Sequence, residues 1–131
     1  MNSASASPVI ELKDCPNRPN CVCTQASKQT HRMPPLRCVV SPEEALQIIE
    51  GILQATPRVK ILQRTDRYLH ATFTTALLRF VDDVEFAIDD AQNLLHFRSA
   101  SRLGYSDLGL NRKRMTGLVE QLLTTGAFAS L

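Results

Sequence analysis

The sequence predicts an α+β fold: a two-layer sandwich in which a four-stranded antiparallel meander has one helix before it and one after it. Three observations carry this. Ser41-Pro-Glu-Glu44 is a helix start followed by an apolar stripe at helical spacing. Four runs between residues 58 and 99 alternate apolar and polar with period two. Met115, Leu118, Val119, Leu122 and Leu123 then form a second helical stripe. A length of 131 residues fits one domain with a core of its own.

The elements follow in order. Residues 1–12 read as a disordered or extended tail, the first seven being Met, Asn, Ser and Ala only, and residues 13–131 as a single domain. Residues 13–40 form an arm carrying Pro16, Pro19, Pro34 and Pro35 and all four cysteines. With no sustained period, the arm is expected to be irregular. Ser41 suits an N-cap, Pro42 the first helical position and Glu44 a capping box. Ala45, Leu46, Ile49, Ile52 and Leu53 line the buried face, and Pro57 requires an end before it.

The strands are Val59 and Ile61 against Arg58 and Lys60, then Leu69, Ala71 and Phe73 against Tyr68, His70 and Thr72. Val84, Phe86 and Ile88 against Asp83, Glu85 and Ala87 come next, then Leu95 and Phe97 against His96 and Arg98. Keeping Phe86 and Phe97 inward sets Ile88 opposite Leu95 and Glu85 opposite Arg98. A slip of two would pair Asp83 with Arg98 instead. Either register gives Arg98 a carboxylate neighbour, a pair stabilising by about 0.2–1 kcal/mol. The acidic group Asp82, Asp83 and Glu85 is therefore expected to meet the basic segment. Gly126 suits the end of the last helix.

Composition narrows the function classes. A formal charge of +2 is too small to imply nucleic acid, and with no Trp and two Tyr there is little surface for stacking bases. Eleven of the fifteen bases are Arg, whose rigid fork suits carboxylate or phosphate. No apolar run reaches the roughly 20 residues of a membrane span. The first ten residues lack the basic and apolar regions of a secretory signal, so the chain as given is expected to be cytoplasmic; an incomplete N-terminus would leave an envelope or plastid location open.

The segment Arg98-Ser-Ala-Ser-Arg-Leu-Gly-Tyr-Ser-Asp-Leu-Gly-Leu-Asn-Arg-Lys-Arg114 places five cations, three serines and two glycines between a strand and a helix. Cations at a helix start are unfavourable by about 0.3–1 kcal/mol each unless an anion joins them. Two readings follow. Asp82, Asp83, Glu85 and Asp107 supply the negative charge as a structural ion network. Alternatively Arg98, Ser99, Ser101, Arg102, Asp107, Asn111 and Arg112 hold a ligand anion, with Asn111 or Asp107 capping the helix. An enzymatic reading would use Asp82, Asp83 or Glu85 as the acid or base beside Arg98 and Arg102. No nucleophile elbow, phosphate loop or metal-binding helix motif accompanies them, and no cofactor is expected.

Cys15, Cys21, Cys23 and Cys38, with His31 among them, lack the paired short spacing of common zinc sites, so no metal is expected. Cys15 and Cys21 close a small disulfide loop in an oxidising compartment and are free thiols in a reducing one. His70 and His96 fall on polar strand faces, where a solvated or hydrogen-bonded histidine is the default.

Asp14-Cys-Pro-Asn-Arg-Pro-Asn-Cys21, His31-Arg-Met-Pro-Pro-Leu36, Arg79-Phe-Val-Asp-Asp-Val-Glu-Phe86 and the Arg98–Arg114 segment together resemble the signature blocks of the domain of unknown function 1499 family. The matching positions are Cys15, Pro16, Pro19, Asn20, Cys21, Phe80, Asp82, Asp83, Glu85, Phe86, Arg98, Ser99, Ser101, Arg102, Gly104, Asp107, Gly109, Asn111 and Arg112, with Cys23 and Cys38 outside the signature. The resemblance implies bacterial proteins with plant and algal relatives and no established activity, often with a signal, lipoprotein or membrane segment ahead of the domain. It assigns no catalytic residue. The expectation is a non-catalytic binding or accessory module, met by an anionic small molecule, a lipid headgroup or a protein partner.

Overall fold

The computed structural model describes residues 10–131; the expected disorder of residues 1–7 lies outside them. Among the described residues, seven strands and two α-helices make up the fold. Strands β1 (Cys21–Cys23) and β2 (Leu36–Cys38) flank a short 3-10 turn at Gln29–His31, and helix α1 (Pro42–Gln54) follows. Then come β3 (Val59–Arg64), β4 (Tyr68–Thr74), β5 (Val81–Asp89), β6 (Leu94–Ser101), helix α2 (Leu110–Thr124) and β7 (Phe128–Ser130).

The α+β class is as expected, but the sheet has seven strands rather than four. Its order is β3-β4-β5-β6-β2-β7, with β1 also on β6, and every pairing is antiparallel. The meander β3 to β6 is the four-stranded unit that alternation revealed. The arm is mostly irregular, as expected, but contains two short strands. It supplies β1 to the C-terminal half of β6 and β2 to the N-terminal half, and β7 closes the far side of β2. Three-residue strands are too short for a period, and their pairing comes from backbone groups that carry no side-chain signature.

Ser41 Oγ accepts a hydrogen bond from Glu44 N at 3.2 Å, and α1 buries Ala45, Leu46, Ile49 and Leu53. Met115, Leu118 and Leu122 of α2 join them against Leu69, Val84, Phe86, Leu95 and Phe97. Burying each such side chain stabilises the fold by about 1.5–3 kcal/mol. The opposite sheet face is not open throughout: Leu12, at the end of the tail, and Cys23 and Ala26 of the arm pack on Ala87, with Tyr68 at the edge. The last hairpin takes the first of the two expected registers, Ile88 opposite Leu95 and Glu85 opposite Arg98.

Candidate functional site

Alternation along β5 splits the acidic group across the sheet. Asp82 shares the helix-facing side with Val84, Phe86 and Ile88, whereas Asp83 and Glu85 point to the other side with Ala87. The expectation that Asp82, Asp83 and Glu85 form one group is thus corrected. They belong to two networks with β5 between them.

On the helix side Asp82 is 1% exposed, and its Oδ2 lies 2.7 Å from Arg114 Nη2. The contact is a close ion pair off the hydrogen-bond direction, since that oxygen has no aligned donor. Arg114 Nη1 donates to Asn111 Oδ1 at 2.9 Å and Ser99 Oγ at 3.3 Å, and its guanidinium sits 5.0 Å from the Phe73 ring centroid. Asn111, fully buried, is the hub. Its Oδ1 also accepts from Ser99 Oγ at 2.6 Å, and its Nδ2 donates to Asp107 Oδ2 (2.6 Å), Ser101 Oγ (2.9 Å) and Asn20 O (3.2 Å). One amide therefore ties the arm, β6, the following loop and α2 together.

Helix α2 is capped by Gly109, in the left-handed region at φ 80, rather than by Asn111 or Asp107. Asp107 acts from two residues earlier. Its carboxylate accepts from Gly109 N at 2.8 Å and Asn111 N at 3.0 Å, supplying the negative charge that a helix start favours. Burial works to raise the Asp107 pKa, but the Asn111 side chain and these amides outweigh it and hold the carboxyl below its ordinary value. Among the described residues Arg112 meets no carboxylate; it donates to Thr30 O at 2.9 Å and Arg32 O at 3.5 Å, clamping α2 to the arm.

On the far side two rungs cross the sheet. Tyr68 Oη donates a short hydrogen bond to Glu85, which lies 3.6 Å from Arg98. Burial, and then the Glu85 carboxylate, push the Tyr68 hydroxyl far above its ordinary pKa. His70 Nε2 lies 2.8 Å from Asp83 Oδ1, and Arg102 grips the same carboxylate with Nε at 2.9 Å and Nη2 at 3.0 Å. The Arg102 bonds, with help from His70 and against some burial, hold Asp83 below the usual carboxylate range. Asp83, Glu85 and His70 line neither the apolar cleft between the β4–β5 loop and the β6–α2 connection nor the polar cleft beside Arg18 and His31.

Cys15 and Cys21 are joined by a disulfide, and Cys23 and Cys38 are free and buried. Burial pushes the Cys38 thiol up to about 11 and raises Cys23 as well. Among the described residues no three His, Cys, Asp or Glu gather as metal ligands. His96 bonds to Thr24 Oγ1 at 2.8 Å, and burial holds its ring below its ordinary pKa, opposed in part by Asp89. His31 Nδ1 lies 3.0 Å from Cys21 O.

What the charged network leaves open is a cleft of about 900 Å³ beside it, between the β4–β5 loop at residues 75–80 and the segment 101–110, which runs from the end of β6 through the connecting loop to the first residue of α2. Leu77, Leu78, Phe80, Leu103, Leu108 and Leu110 line it, all exposed, with Asp82 and Ser101 also on its wall. A smaller cleft of about 450 Å³, more polar, lies between Arg18, His31, Tyr105 and Arg112. Sequence reasoning missed the leucines and Arg114. The available signal was Leu77-Leu-Arg-Phe80, an apolar cluster in a segment read as a connection.

No helix of the described residues is long and apolar enough to cross a membrane. No curated protein and no solved structure matches the chain. The family of proteins of unknown function DUF1499 matches residues 11–122, a span that takes in both charged networks, the disulfide and the apolar cleft, and the chain belongs to that family.

Proposed function

We propose that this chain is a non-catalytic binding module in which the charged motif residues are a structural seam and the binding surface is the apolar cleft. The carrying observation is one of contrast. The seam's charges are consumed internally, while six large apolar side chains from two neighbouring loops stand exposed around the cleft. Monomeric proteins rarely leave a contiguous apolar patch of this kind without use for it.

Ser99 and Asn111 are inaccessible and fully bonded, Arg98 and Arg102 are paired with carboxylates, and Asp107 occupies the helix start. This supports assigning those candidates to holding the loops in place. The occupant is amphipathic: an apolar body lies against the leucines, and an anionic end turns toward Arg79 and Lys113, which are exposed and have no ion-pair partner among the described residues. Of the residues in the catalytic reading, Asp82 and Arg102 lie on the cleft, but Asp82 is 1% exposed and paired with Arg114, and Arg102 is held by Asp83.

Anilinonaphthalene sulfonate, an apolar ring system with one anionic group, tests the reading. Its fluorescence should rise on the folded protein and lose most of that rise in Leu77→Ser/Leu108→Ser. Equal fluorescence with a variant of unchanged circular dichroism would place the apolar site elsewhere.

A further inference from the structure

Resting on that reading, we infer that the partner of the cleft is the surface of an anionic phospholipid membrane, entered by the tips of the 75–80 and 101–110 loops. Leu77 is 92% exposed and Leu108 97%, so these side chains, at the rim of the cleft, project outward from the surface. Leu103 and Leu78 are nearly as free. A protein partner needs a matched surface for such prongs, whereas fluid acyl chains close around any shape. Phe80, exposed on the same cleft, brings an aromatic ring to this end, the residue type that settles at the headgroup boundary.

The charge fits. Arg79 lies between Leu78 and Phe80, and Lys113 stands one helical turn beyond Leu110. Asp107, the one acid in either loop, has its carboxylate turned to the amides of α2. Apolar tips with cations set just behind them suit a bilayer with anionic headgroups.

The backbone is prepared for it. Thr75 N donates to Phe80 O and Phe80 N donates to Thr75 Oγ1, both at 2.9 Å, closing the first loop at its base. Leu108 holds φ 55 and Arg79 φ 59, left-handed positions that side-chain-bearing residues seldom adopt. In the second loop, Leu108 N donates to Ser106 Oγ and Gly109 N to Asp107 Oδ1, fixing the turn that presents Leu108 outward.

Sedimentation with phosphatidylcholine vesicles, with and without phosphatidylglycerol, tests this. Wild type should partition onto the phosphatidylglycerol vesicles about tenfold more strongly than onto phosphatidylcholine alone, and less so as salt rises. Leu77→Ser/Leu108→Ser should abolish partition, and Arg79→Ala/Lys113→Ala should remove the preference for phosphatidylglycerol. Binding of anilinonaphthalene sulfonate without partition onto either vesicle overturns the membrane and leaves the binding module standing. Loss of both removes the two readings together. A wild-type dimer in lipid-free buffer that Leu77→Ser/Leu108→Ser converts to monomer would assign the leucines to a second copy of the chain and overturn the inference.

Discussion

Arg114 reaches from α2 to within 2.7 Å of Asp82 on β5, and this ion pair is sealed between helix and sheet, with the two side chains 11% and 1% exposed. Taking one charge away strands the other where water cannot solvate it. Asp82→Asn should therefore cost about 3 kcal/mol of unfolding free energy, the low end for a broken buried pair because Asn111, Ser99 and Phe73 still attend Arg114. Adding Arg114→Met should recover part of that loss. Urea unfolding of the single and double variants measures both, and strict additivity would show that the pair is not coupled.

Asn111 should be the least replaceable polar residue of the seam. Asn111→Ala leaves Ser101, Asp107, Arg114 and Asn20 without a shared partner in a closed space, and about 2–4 kcal/mol should be lost. Asn111→Asp keeps the shape but turns a donor toward the Asp107 carboxylate into an acceptor. It should destabilise at neutral pH and do so less in acid, as read by thermal melts at pH 7 and pH 4.

Asp83 gives the acid limb a defined sign. Its folded pKa lies below the ordinary value of 3.8, so the folded state favours the carboxylate. The stability it contributes is present above that ordinary value and is lost as pH falls through the lowered one. Asp83→Asn should lower the melting temperature at neutral pH and flatten its decline below pH 4. Parallel profiles for wild type and variant between pH 2 and pH 7 would refute this account of Asp83.

The thiols can be counted. Cys15–Cys21 closes a loop of sequence separation 6, so the chain-entropy relation gives about 2 kcal/mol for the cross-link. Dithiothreitol and Cys15→Ser should each lower the unfolding free energy by that amount and should not add. Iodoacetamide at pH 8 should label no cysteine in native unreduced protein, because Cys23 and Cys38 are buried with raised pKa values. In denaturant, two should react. Rapid native labelling would mean that the arm opens.

Period and capping made the two helices and the four long strands legible and narrowed the last hairpin to two registers, because Phe86 and Phe97 can face the core in few ways. The same alternation already carried a signal that the charge count obscured. Asp82 and Asp83 are adjacent on a strand and so must face opposite sides of the sheet. Arg114 likewise lies one residue before Met115, a position that brings it toward the buried stripe and Asp82.

By itself, then, the sequence determined the fold class, the start of α1 and a choice between two registers for the last hairpin, all of which rest on local spacing and the cost of exposing apolar faces. Only the tertiary structure decided that Cys21–Cys23, Leu36–Cys38 and Phe128–Ser130 join the sheet, that Asn111 gathers the arm and α2, and that two loops distant in sequence present their leucines at one end. Backbone pairing and the convergence of remote loops depend on where the chain returns in space, and no period in a sequence records that.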